Sequence, residues 1–111
     1  LSNMAPTVAH HRDGAALAIG SPGADRISTA VAQVVAGFAN GGMGLQQAVN
    51  HPRVHVHRAG RPDEVVKVET DLTMYYGGVG ATLLRRDAAG ELHLEAAADP
   101  RRDGAVRLVR S

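Results

Sequence analysis

Residues 18–27 read AIGSPGADRI. Two apolar residues run into Gly-Ser-Pro-Gly, and a helical pattern begins straight afterwards. Pro22 fixes its own φ, and Gly23 accepts backbone angles closed to other residues, so a tight reversal is expected here. If the helix starts between Gly23 and Asp25, several of its first N–H groups have no intrahelical acceptor and point outward at the positive end of the dipole. Asp25 is then the natural cap for one of them.

Working outward, Thr7–His11 and Ala15–Ile19 flank Arg-Asp-Gly, a hairpin signal because Gly14 takes positive φ at no steric cost. Downstream, Ile27, Val31, Val34, Val35 and Phe38 form one helical stripe that should end near Asn-Gly-Gly-Met-Gly. A shorter helix over Leu45–Asn50 is stopped by Pro52. Two-fold alternation follows in VHVH and, less cleanly, in EVVKVE. A last pair of strands, Gly80–Arg85 and Leu92–Ala97, is joined by another hairpin-like connection. DPRRDG then leads to a short apolar run, AVRLV. This order predicts an α+β fold in which mostly antiparallel strands and two helices pack as layers.

Composition narrows the function. The chain has 111 residues with 44% apolar residues, 3% aromatics and no Trp, so its core rests on Ala, Val, Leu and Ile. A core of that kind is thin, and loss of a partner would be felt. Twelve basic against eleven acidic residues leave a charge of +1 with no basic stripe, which gives no support to nucleic-acid binding. The absence of cysteine excludes a disulfide framework and thiolate metal sites. No apolar run approaches the roughly 20 residues that span a bilayer. Compartment stays unassigned.

Local chemistry leaves three readings of the turn open. It is an ordinary strand-to-helix connection, a phosphate loop, or an oxyanion hole built from main-chain amides. The phosphate reading is weakened because GSPGADR lacks the Lys-Ser/Thr ending of a P-loop and the G-x-G-x-x-G spacing.

The ordered blocks LSNMAPT, GSPGADRI, LQQAVNHPRVHVH, YYGGVGATL and AAADPRRDG resemble the C-terminal part of the small subunit of γ-glutamyltranspeptidases. That family carries Ser-Ser-Met-x-Pro-Thr, then Gly-Ser-Pro-Gly-Gly-x-Arg-Ile, and a helix ending in Ala-Pro-Arg-Phe-His. The resemblance implies part of an N-terminal nucleophile hydrolase, an αββα sandwich that self-cleaves and attacks γ-glutamyl amides with a new N-terminal Thr. By position, Gly23 and Ala24 would offer oxyanion amides, and Ser2 and Asn3 would hold the glutamyl α-carboxylate. No cofactor and no metal are implied. The implied partners are the large subunit, the nucleophile-bearing segment and a γ-glutamyl substrate, with self-association of the isolated piece as a further expectation.

The departures matter. Asn3 replaces a Ser, Ala24 replaces a Gly, and Asp25 brings a negative charge close to the proposed oxyanion. A spacer of about one helix expected between Glu69 and Met74 is missing. Leu1 is no nucleophile, so residues 1–111 are expected to be a partial domain, inactive alone. The alternative is a non-catalytic anion-binding or structural module derived from the same fold.

Other residues allow more than one reading. His55 and His57 share a strand face with His51 near in sequence, yet surface or interface positions are the expectation for the six histidines. Arg53 and Arg101 each follow a proline. Solvent-exposed arginine is the default for both, and buried pairing with a carboxylate, Asp99 being the local candidate, is the other reading. Tyr75 and Tyr76 are expected to pack in the core or against the rest of the enzyme.

Overall fold

A computed structural model describes residues 6–21, 26–71, 76–102 and 105–107. Strands β1 (Thr7–His10) and β2 (Ala16–Gly20) precede helices α1 (Ile27–Ala39) and α2 (Leu45–Asn50). Strands β3 (Val54–His57), β4 (Val65–Val68), β5 (Gly80–Arg86) and β6 (Leu92–Ala98) follow, and a 3-10 turn covers Pro100–Arg102. The main sheet runs β1-β2-β5-β6, antiparallel throughout, and β3 pairs with β4 as a separate ribbon.

Both hairpins of the main sheet turn by one device. Gly14 at φ 95° and Gly90 at φ 82° take the left-handed position. Asp13 accepts the Ala15 N–H at 2.9 Å, and Asp87 accepts those of Ala89 and Glu91. The expected Asp-Gly hairpin is there, with the strands one residue off at their inner ends.

The register Ile19↔Ala81 and Ala81↔Ala97 places Leu17, Ile19, Ala81, Leu83 and Ala97 on one face of the sheet. Against it lie Ile27, Ala30, Val31 and Val34 of α1 and Leu45, Ala48 and Val49 of α2. The stripe read from the sequence is therefore the core face, with Val35 and Phe38 at its half-buried margin. Small side chains let the layers approach closely, and about 25 cal/mol per Å² of buried apolar surface is the driving term. Among the described residues, nothing covers the opposite face: Val8, Leu84, Leu92 and Leu94 are 67%, 42%, 53% and 55% exposed.

Two glutamines tie the layers together. Gln33 of α1 donates to Val54 O and accepts from Val54 N, each at 2.7 Å. Gln46 of α2 donates to Ala98 O at 2.8 Å and accepts from Ala98 N at 3.2 Å.

One detail differs from the sequence reading. Helix α1 begins at Ile27 with Arg26 as its N-terminal flank, so the earlier start and the cap by Asp25 fall on residues outside those described. Residues 105–107 of the C-terminal apolar run form no strand.

Candidate functional site

The most heavily buried polar cluster grows from the ends of α2 and β6. Pro52 stops α2 and turns the following Arg53 back under it, and Asp99 closes β6 with Pro100 and Arg101 behind it. Four charges meet: Arg53, Glu69, Asp99 and Arg101, of relative exposure 1%, 6%, 3% and 6%. Burying a single charge would be prohibitive, and here the desolvation cost of each ion is offset by an opposite charge and by hydrogen bonds to its remaining polar atoms.

Every donor of Arg101 is used. Its Nε donates to Glu69 Oε2 at 2.7 Å, and its NH2 donates to Glu69 Oε1 and to His51 O. Its NH1 donates to Val49 O at 2.9 Å and Asp99 Oδ1 at 3.0 Å. The guanidinium thus carries five N–H groups to five acceptors, two of them carbonyls at the C-terminal end of α2. Arg53 joins from the other side, donating to Asp99 Oδ2 at 2.7 Å, Val49 O at 3.0 Å and Tyr76 O at 2.7 Å.

Burial acts on Asp99 to raise its pKa, and the N–H groups of Val79 and Arg101 and the Arg53 guanidinium outweigh it, leaving the carboxyl below its ordinary value. Burial pulls Arg53 below the usual guanidinium value despite its Asp99 pair. For Arg101 the carboxylates of Glu69 and Asp99 win over burial and the value rises. The sign for stability follows from Asp99. Its folded pKa lies under the unfolded one, so its contribution is present above about pH 4 and is lost as pH falls through the folded value. Urea midpoints measured at decreasing pH are expected to drop in that acid window, and Asp99→Asn is expected to flatten the drop.

The cluster reaches the strand-to-helix turn through residues 76–79. Val79 N donates to Asp99 Oδ2 at 2.7 Å, and the next amide back, Gly78 N, donates to Ser21 Oγ at 3.2 Å. Gly77 makes the approach possible. Its φ is 86°, and a Cβ there would stand 3.0 Å from Ala30 Cβ and 3.1 Å from Ser21 Oγ.

Gly23, Ala24, Ser2 and Asn3 all lie outside the described residues. Their flanks do not. The register Thr7↔Ile19 brings Pro6 and Thr7 to the same end of the sheet as Gly20 and Ser21. An open, mostly apolar groove of about 350 Å³ lies there, lined by Pro6–Val8, Ala18–Gly20 and Gly80–Thr82.

Arg53 and Arg101 correct the exposed default: both are buried and paired. His55 corrects the surface expectation for histidines, since it is 9% exposed with Nδ1 at 3.1 Å from Thr29 Oγ1. His51, His55 and His57 do not gather. Among the described residues, Asp87, Glu91 and His93 bring ligand atoms within 4.8 Å of one another, where Asp87 already serves the hairpin amides and His93. Tyr76 is half-buried, and Tyr75 is outside the described residues. Sequence reasoning missed Glu69, Ser21 and Gly77; the available signal was the pair His-Pro-Arg and Asp-Pro-Arg, two prolines each presenting an arginine.

Antiparallel strands backed on one face by two helices make a layered α+β fold. The solved transpeptidase CapD of Bacillus anthracis shares this fold at a TM-score of 0.77, with 24% identity over 98% of this chain and 72% of that one. A γ-glutamyltranspeptidase from Pseudomonas nitroreducens superposes at a TM-score of 0.74, 27% identical, over 99% of this chain and 64% of that one. The Gamma-glutamyltranspeptidase family model matches residues 1–109, and the chain belongs to that family. A glutathione hydrolase proenzyme from Bacillus subtilis subsp. natto is 40% identical over 55 residues, which are 50% of this chain and 9% of the length of that relative. No helix among the described residues is long and apolar enough to cross a membrane.

Proposed function

We propose that residues 1–111 are the C-terminal portion of a γ-glutamyltransferase or hydrolase acting on glutathione-like γ-glutamyl amides. The observation that carries this reading is the convergence of Pro6–Thr7 with Gly20–Ser21 beside one open groove. In sequence, Ser2 and Asn3 lie just before Pro6, and Gly23 and Ala24 lie just after Ser21.

In this reading an N-terminal Thr hydroxyl, supplied by another part of the enzyme, attacks the γ-carbonyl carbon. Charge develops on the carbonyl oxygen and is met by the N–H groups of Gly23 and Ala24. The C–N bond breaks, the leaving amine takes the proton of the attacking hydroxyl, and water or an amino acid then accepts the acyl group. Ser2 and Asn3 donate hydrogen bonds to the substrate α-carboxylate. No cofactor or metal takes part.

The uncovered sheet face supports the partner reading. Val8, Leu84, Leu92 and Leu94 make an apolar surface of the kind that marks an interface, and the second sheet of a sandwich would cover it. The isolated chain is therefore expected to be inactive and prone to self-association.

Hydrolysis of a γ-glutamyl anilide tests the reading. Activity is expected only when this chain is co-expressed with the rest of its parent protein. Activity in neither case overturns the reading in favour of a non-catalytic module. In the active protein, Ala24→Pro removes one oxyanion N–H and is expected to lower kcat by about 100-fold with a small change in KM.

A further inference from the structure

We infer that Asn40 is a spontaneous deamidation site whose rate is set by opening of the last turn of α1. Asn40 and Gly41 are both exposed, at the C-terminal end of that helix. A glycine after asparagine leaves the attacking main-chain nitrogen unshielded, because no Cβ crowds its approach to the side-chain amide. Gly41 N gives up its proton and bonds to Asn40 Cγ, ammonia leaves with that proton, and a cyclic imide remains. Water then opens the imide at either carbonyl, giving aspartate or isoaspartate at position 40.

The fold both keeps this labile pair and guards it. A Cβ on Gly41 would stand 2.8 Å from Gly37 O and 3.2 Å from Gly37 Cα, so a bulkier, shielding residue has no room there. In the closed turn, Ala36 O accepts from Asn40 N at 2.9 Å and from Gly41 N at 3.0 Å, and Gly37 O accepts from Met43 N at 3.2 Å. The Gly41 nitrogen must leave Ala36 O before it can reach Cγ, and helix ends open locally at far lower cost than the whole fold. Asn50 lacks these conditions: His51 follows it, and its Oδ1 accepts from Gln46 Nε2 at 2.8 Å. The product is unfavourable where it forms. The last turn of α1 holds no basic residue, so a carboxylate at position 40 meets the negative end of the helix dipole without a cation in that turn to offset it. Isoaspartate also adds a methylene to the main chain between α1 and α2.

The test incubates the full parent protein, native and urea-unfolded, at mildly alkaline pH, then digests it with trypsin and reads the peptide of residues 27–53 by mass spectrometry. Fragmentation separates Asn40 from Asn50 and aspartate from isoaspartate. Conversion at Asn40 is expected in both samples, about tenfold to a thousandfold slower in the native one, since three cap hydrogen bonds must break first. Asn50 is expected to keep its amide over the same period, and Asn40→Gln is expected to abolish the conversion. Asn40→Asp, which makes one product directly, is expected to lower the urea midpoint. An unfolded protein that retains its Asn40 amide, or one in which Asn50 converts as fast, overturns the site. A native rate equal to the unfolded one, or more than about a thousandfold below it, overturns control by the last turn of α1. An Asn40→Asp midpoint equal to that of the parent overturns the unfavourable consequence of the product.

Discussion

Asp99→Ala is expected to cost about 3–5 kcal/mol of folding stability, read as a lower urea midpoint. The carboxylate receives the guanidinium groups of Arg53 and Arg101 and the main-chain N–H groups of Val79 and Arg101. Removing it leaves two buried cations facing only Glu69. The cost is that of stranded charge rather than of a lost contact. It should exceed what surface pairs give, such as Arg58 with Asp63, whose side chains are 48% and 59% exposed. Asp99→Asn keeps an acceptor in place and should lose less. A change under about 1 kcal/mol in Asp99→Ala would mean that the cluster is not a buried unit.

Arg101→Met is expected to lose a similar amount, about 3–5 kcal/mol, by the reverse logic. Both oxygens of Glu69 are taken by Arg101, and only the Arg53 N–H remains to it, at 3.0 Å. The His51 carbonyl also loses its donor. The double variant Arg101→Met with Glu69→Gln is expected to be more stable than Arg101→Met alone, because the stranded anion is gone. A cycle in which the two losses simply add would contradict direct coupling. Lysine at position 101 should fall between, since its three donors cannot span two carboxylates and two carbonyls.

Local signals were the legible part of this fold. Asp13-Gly14 announced its hairpin because only a few residues tolerate positive φ, and Pro52 ended α2 at Asn50 because proline disfavours a helical residue before it. The stripe from Ile27 to Phe38 gave the core face directly. Non-local pairing was not legible. Nothing in β2 says that β5 lies beside it, and Arg53 meets Asp99 across 46 positions. Glu69 read as the polar side of an ordinary strand, since alternation cannot tell solvent from a buried guanidinium. Ser2, Asn3, Gly23 and Ala24 were reached through family resemblance, and local chemistry left the role of their turn open among three uses.

The two glutamines have one more consequence. A carboxamide displays the same donor and acceptor as a peptide unit, so Gln33 and Gln46 each occupy one rung at a sheet margin. In an antiparallel strand, both main-chain groups of a residue face the same side, and residues two apart share it. Any strand arriving beside β6 therefore finds the Ala98 rung filled and is confined to the Leu92–Ala96 stretch, while Val54 closes the corresponding end of β3. Runaway growth by edge pairing is thereby shortened along β6 and β3, each by one glutamine side chain.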